Sequence, residues 1–100
     1  MLSQVGQIAV GLVAHHPGES ELGRCTARVE LTFHAKVHGL LLAETFELRG
    51  HPGQDRATLR AVQRYLRESE ADVLLVHGDV DRGLLEPLTD RRGVNVVPVS

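Results

Sequence analysis

The sequence predicts an α/β fold: a three-layer arrangement around a four-stranded, mostly parallel sheet, in the order βαβαβαβ. Three observations lead there. Apolar runs of strand length alternate with longer segments of helical period. The run Val73–Val76, with Ala71 ahead of it, is short, aliphatic and closed by the polar turn His77-Gly78-Asp79, which suits a strand buried on both faces. Only 3% of the chain is aromatic while 42% is hydrophobic, so the core must be built from Leu, Val and Ala.

Each element has its own justification. Gln7–Ala14 reads as a first buried strand, ended by His15-His16-Pro17-Gly18, where Pro-Gly is a strong turn signal. Ser20 or Glu19 is placed to start a helix. From there Leu22, Cys25, Val29, Phe33, Val37 and Leu40 recur in steps of three and four, which predicts the buried face of a long helix with Gly39 near its end as a cap. Leu40–Leu48 reads as a strand less buried than the first. Arg49–Gly53 is a loop, and Asp55 is a good N-cap for a second helix with Leu59, Val62, Leu66 and Ser69 inside. After Val73–Val76 a short helix is expected near Pro87–Arg92, with Gly93 beyond its end. Val94–Val99 closes the order as a fourth strand.

One hundred residues predict a single domain with one core. A formal net charge of −2 gives no global attraction to nucleic acid, so any such binding requires a local basic patch. A single cysteine, Cys25, excludes an internal disulfide and fits a reducing compartment. The apolar run Val5–Ala14 is short, contains Gln7 and has no basic flank, so neither a signal peptide nor a membrane span is expected. A cytoplasmic protein without membrane contact is the expectation.

In this order the elements resemble the catalytic domain of the serine recombinases, the resolvase and invertase group. Ala71-Asp72-Val73-Leu74-Leu75-Val76 is similar to that family's third strand. Asp81-Arg82 is similar to the start of its Asp-Arg-Leu-x-Arg turn, and Gly93-Val94 leads into a run similar to its last strand. The resemblance runs from about residue 7 to 99. It implies a resolvase-like scaffold, in which a serine after the first strand attacks DNA with the help of several arginines. Here Ala14 stands where the first arginine is expected and His16 roughly where the serine is. Leu84 or Leu85 replaces the second arginine of the turn, and only Arg82 remains. Phosphoryl transfer needs an activated nucleophile and positive groups on the phosphate, each such contact typically worth ~2.7–4 kcal/mol. The sequence also stops after the last strand, without the long helix and DNA-binding module of full recombinases. The resemblance therefore implies a degenerate, truncated member without recombinase chemistry, and no cofactor.

Four constellations remain. Gly78-Asp79-Val80-Asp81-Arg82-Gly83 is one residue shorter than a metallophosphatase motif, and the Asp-x-His and Asn-His partners of that motif are missing. His15, His16, His77, Asp79, Asp81 and Arg82 fall at the ends of the first and third strands, where open α/β sheets gather ligands. Imidazole with carboxylate suits a divalent metal, so a small metal-dependent hydrolase is one reading, the metal itself being unknown; solvated loop histidines are the plainer one. Ala27, Leu31 and Ala35, with His34 and His38 beside them, lie opposite the expected buried stripe. They make a candidate self-association face, and hence a homodimer, against the plainer reading of an exposed leucine among helix-favouring alanines. Arg56, Arg60, Arg64 and Arg67 line one side of the second helix, as a phosphate or nucleic-acid stripe or as an ordinary solvated face. Cys25 is expected in the core. The leading expectation is a non-catalytic, self-associating interaction or regulatory module. A DNA-associated accessory protein is the alternative; nucleic acid is possible but not favoured.

Overall fold

A computed structural model describes residues 7–15, 18–89 and 94–99. Four strands, β1 (Ile8–Ala14), β2 (Leu41–Leu48), β3 (Val73–His77) and β4 (Asn95–Val99), form one sheet in the order β2-β1-β3-β4. All three pairings are parallel. The predicted α/β class and the βαβαβαβ order are thus observed. The chain steps from β1 to one side and then back across it. Right-handed crossovers therefore place the first helix on one face of the sheet and the later helices on the other. The core divides accordingly. Ala9, Val13, Val73, Leu75 and Val99 pack on one face, and Val10, Leu12, Leu74 and Val76 on the other. The middle strands β1 and β3 are buried on both sides, which is why they read as continuous aliphatic runs.

The first helix, α1, spans Glu21–Val37. The Ser20 hydroxyl accepts from the Gly23 N–H at its start. At its end Leu40 N–H donates to Ala35 O and Gly39 N–H to Lys36 O, with Gly39 at φ +68°. This double closure needs a left-handed residue at that position, so the glycine cap read from the sequence is observed. The buried side of α1 is the reverse of the expected one. Ala27, Leu31 and Ala35 are 2%, 0% and 2% exposed and form the core against the sheet. Leu22, Cys25, Val29, Phe33 and Val37 are in solvent. The cause lies in β1. A side chain at Gly11 would meet Leu31 Cδ1 at 3.0 Å and Thr45 Oγ1 at 3.1 Å. The glycine leaves a notch that Leu31 fills, and the short flanking alanines let the helix axis come close to the sheet. Phe33 and Leu22 do not fit that approach.

The second helix, α2 (Pro52–Ser69), buries Val62 and Leu66 with Leu59 and Tyr65 partly covered, much as expected. Its start differs. His51 is the N-cap residue and Pro52 the first helical residue, while Asp55 lies inside the first turn. The Asp55 carboxylate instead accepts from the Arg49 and Gly50 N–H groups at 2.9 and 3.0 Å, tying the preceding loop to the helix. After β3 a short helix, α3 (Arg82–Leu85), runs into a 3₁₀ turn at Glu86–Thr89. The helix expected at Pro87–Arg92 therefore starts earlier, because Asp81 caps it through the Gly83 N–H. Its expected end at Arg92 and Gly93 lies outside the described residues. Among the described residues no helix is long and apolar enough to cross a membrane.

Candidate functional site

The carboxyl edge of the sheet carries the residues with the most chemistry. β1 and β3 are neighbours, with Val13 opposite His77, so the predicted strand-end residues do share an edge. They do not converge. His77 Nε2 lies 2.5 Å from Glu30 Oε1 of α1. Asp81 is spent on capping α3, and Asp79 and Arg82 are exposed. Between the two strand ends Gly78, at φ +95°, passes so close that a Cβ there would lie 2.5 Å from the Ala14 carbonyl oxygen. His16 lies outside the described residues. Among the described residues no group of three or more His, Cys, Asp or Glu is placed to hold a metal.

His15 is built into a different set of partners, toward β2. Its N–H donates to the Leu48 carbonyl, extending the ladder past the end of β1. Its side chain is only 3% exposed. Nε2 lies 3.0 Å from Glu47 Oε1. Glu47 is in turn paired with Arg28 of α1 and, at 3.2 Å, with Arg49 Nη2. A buried carboxylate holding one ring nitrogen fixes the tautomer, so Nε2 carries the hydrogen in the neutral ring. Nδ1 then presents a lone pair. It has no hydrogen-bond partner among the described residues, and Glu19 Oε2 stands 3.6 Å away. Burial holds the imidazole below its usual pKa of 6.5. Glu19 pulls the other way, and Arg24 and Arg49 add to the lowering. A cavity of about 360 Å³ opens here, lined by His15, Gly18, Glu19, Arg24, Arg49 and His51 among others. A second, of about 350 Å³, shares Arg24 and Arg49 with it.

Little of this network is visible in the sequence. Glu47 and His15 are 32 positions apart, and only the parallel pairing of β1 with β2 brings them together. The available signal is a glutamate directly before the last residue of a strand, Leu41–Leu48, that also carries Glu44 and Thr45 and so does not single it out.

The second candidate surface is the solvent side of α1. Leu22, Val29, Phe33 and Val37 are 76%, 62%, 67% and 59% exposed, with the Cys25 thiol among them. The stripe runs into a groove of about 430 Å³ between α1 and β4, lined by Val29, Phe33, Val37, Val99, His34 and His38. The rings of His34 and His38 lie against each other with centroids 4.4 Å apart. The self-association face expected from Ala27, Leu31 and Ala35 is therefore corrected: those side chains are core, and the apolar face in solvent is the one assigned to the interior. Cys25 moves with it, from core to surface. On α2 the side chains of Arg56, Arg60, Arg64 and Arg67 are all exposed on one stripe. No protein-family model, curated protein or solved structure was found to match the chain.

Proposed function

We propose that this chain is a non-catalytic, resolvase-like interaction domain that self-associates through the outer face of α1. The exposed stripe Leu22, Cys25, Val29, Phe33 and Val37 carries the reading. Its four large side chains leave roughly 500 Å² of apolar surface open, at the upper end of what monomers show. Two copies pairing through it cover about 1,000 Å², which reaches the threshold for a specific interface. The charges select a second copy and an orientation. Glu21 lies in the first turn of α1, and His34 and Lys36 lie in the last. An antiparallel crossing near Val29 sets Phe33 over the partner's Cys25 and Glu21 opposite the partner's Lys36, twice, by two-fold symmetry. A parallel crossing sets like against like.

Loss of the recombinase chemistry supports the non-catalytic part. The resemblance expects the nucleophilic serine roughly at His16, which lies outside the described residues, and the residue before it, His15, closes β1 engaged with Glu47. The nearest described hydroxyl in sequence, on Ser20, caps α1. A solvent-facing thiol on the pairing surface suits a reducing, cytoplasmic setting. Sedimentation equilibrium from low to high micromolar protein tests the reading. A concentration-dependent dimer is expected, with Phe33→Asp and Val29→Asp monomeric and unchanged in circular dichroism. A chain that stays monomeric throughout, or a dimer untouched by either substitution, overturns it.

A second reading rests on the α2 arginines, which all face solvent on the side of the sheet away from α1. Two copies joined through α1 present one such stripe on each outer side, suited to an accessory role on DNA. A salt-sensitive mobility shift lost in Arg60→Glu with Arg64→Glu supports it. No shift at low salt removes it.

A further inference from the structure

We propose that His34 and His38 together bind one late-transition divalent cation of the zinc and copper class, at the end of the groove between α1 and β4. The two residues are four positions apart, so their side chains leave the same side of the helix one turn apart. That turn is closed, because the His38 N–H donates to the His34 carbonyl at 3.1 Å. Their rings already lie together, with centroids 4.4 Å apart and planes tilted by 35°. Both line the groove of about 430 Å³. His15 and His77 are each held by a glutamate. His34 and His38 are not: none of their ring nitrogens has a hydrogen-bond partner among the described residues. A neutral imidazole whose lone pair is uncommitted is a metal ligand. Two nitrogens each about 2.0–2.1 Å from one ion stand about 3.3 Å from each other. A centroid separation of 4.4 Å brackets that value, so turning about the side-chain bonds closes the chelate without moving the backbone.

The donors choose the ion. Imidazole suits zinc, copper and nickel, whereas magnesium and calcium require oxygen ligands. The surroundings favour positive charge. The last turn of a helix carries the negative end of its dipole, and His34 and His38 sit at that end of α1. Glu30, one turn before His34, lines the same groove, its Oε1 engaged by His77. Lys36 is nearest in sequence but leaves the opposite side of the helix, where it lines another cavity with Cys25, Arg28 and Thr32. The sheet adds no charge, since β4 meets α1 through Val97 and Val99. No third His, Cys, Asp or Glu is gathered there among the described residues, so water completes the shell. The site is therefore an open two-point clasp across one helical turn, not a caged structural centre. Neither histidine belongs to the stripe Leu22, Cys25, Val29, Phe33 and Val37, so the inference does not depend on pairing of the chain.

Calorimetric titration of the whole chain, free of any histidine tag, with zinc chloride and separately with magnesium chloride is the test. One zinc per chain is expected, and no saturable binding of magnesium. His34→Gln and His38→Gln should each weaken zinc binding at least about a hundredfold. Losing a group that merely orients a ligand costs about 10–100-fold in metal affinity, and here one of two direct ligands goes. His51→Gln should leave zinc binding unchanged, because His51 stands at the start of α2 and its side chain makes no capping bond there. In the unaltered chain, sub-stoichiometric nickel should broaden the ring resonances of His34 and His38 together, ahead of any other histidine. That measurement keeps the test independent of a variant that folds poorly. The proposal is overturned if zinc shows no saturable binding, or if its binding survives either substitution at full strength. It is equally overturned if His51→Gln weakens zinc as much, or if nickel first broadens a histidine other than these two.

Discussion

The rotation of α1 is open to a direct measurement, because Leu31 and Phe33 sit half a turn apart and the two orientations assign them opposite fates. Leu31→Ala removes three carbons from a side chain that is 0% exposed. At about 0.8 kcal/mol per buried carbon the transfer loss is roughly 2.4 kcal/mol. The void adds to this, since leucine-to-alanine changes in cores cost about 2–5 kcal/mol depending on how far the site collapses. Collapse is hindered here. The floor of the notch is Gly11, and the helical neighbours Ala27 and Ala35 are too short to lean in. A cost near 4 kcal/mol is therefore expected, a large share of the 5–15 kcal/mol typical of a domain. Phe33→Ala should change the stability of the monomer by less than about 0.5 kcal/mol. Urea unfolding at protein concentrations low enough to suppress association gives both numbers. The notch adds an internal control. Gly11→Ala alone should cost about 1–3 kcal/mol by crowding Leu31 and Thr45. In the Leu31→Ala background it should cost much less, giving a coupling of at least about 1 kcal/mol between the two sites. A small loss for Leu31→Ala with a large one for Phe33→Ala, or additive costs at positions 11 and 31, would refute the packing described for α1.

Three further outcomes follow from the same contacts. Gly78→Ala combines a positive φ with a Cβ placed 2.5 Å from the Ala14 carbonyl oxygen, so a loss of at least about 3 kcal/mol is expected in chemical denaturation. Because burial holds the folded-state pKa of His15 below its ordinary 6.5, the unfolded chain binds more protons in acid. The His15 contribution is then full above about pH 6.5 and is lost as pH falls through the lowered folded value; urea midpoints measured down the pH scale should fall more steeply for the natural chain than for His15→Gln. Asp55→Ala frees the Arg49 and Gly50 amides, and should cost about 1.5–3 kcal/mol per charge-assisted bond at most, with faster hydrogen exchange at those two amides and little change in the β1 ladder.

What could be read from the sequence, and what could not, divides along the distance between the residues involved. The strands β1 and β3 announce themselves because both their faces are covered, which leaves aliphatic runs with no polar alternation. Gly39 is equally legible, since a helix stop and a left-handed cap are decided within a few positions. The azimuth of α1 is not. Its stripes Leu22-Val29-Phe33-Val37 and Ala27-Leu31-Ala35 are both of helical period, and the larger side chains made the wrong one look like core. The deciding residue, Gly11, sits twenty positions upstream in another element. Asp55 misled for a related reason: a carboxylate just ahead of an apolar helix reads as a cap, whereas the loop amides that claim it belong to Arg49 and Gly50. The His15–Glu47 pair depends on strand register and so leaves almost no local trace.

The seat that Leu31 finds on Gly11 also separates two duties within a single helix. One inward contact sets how α1 lies on the sheet, so its outward positions contribute little to whether the chain folds. Those positions can be rewritten, to tighten, loosen or redirect what the helix grips, with the scaffold beneath it left standing.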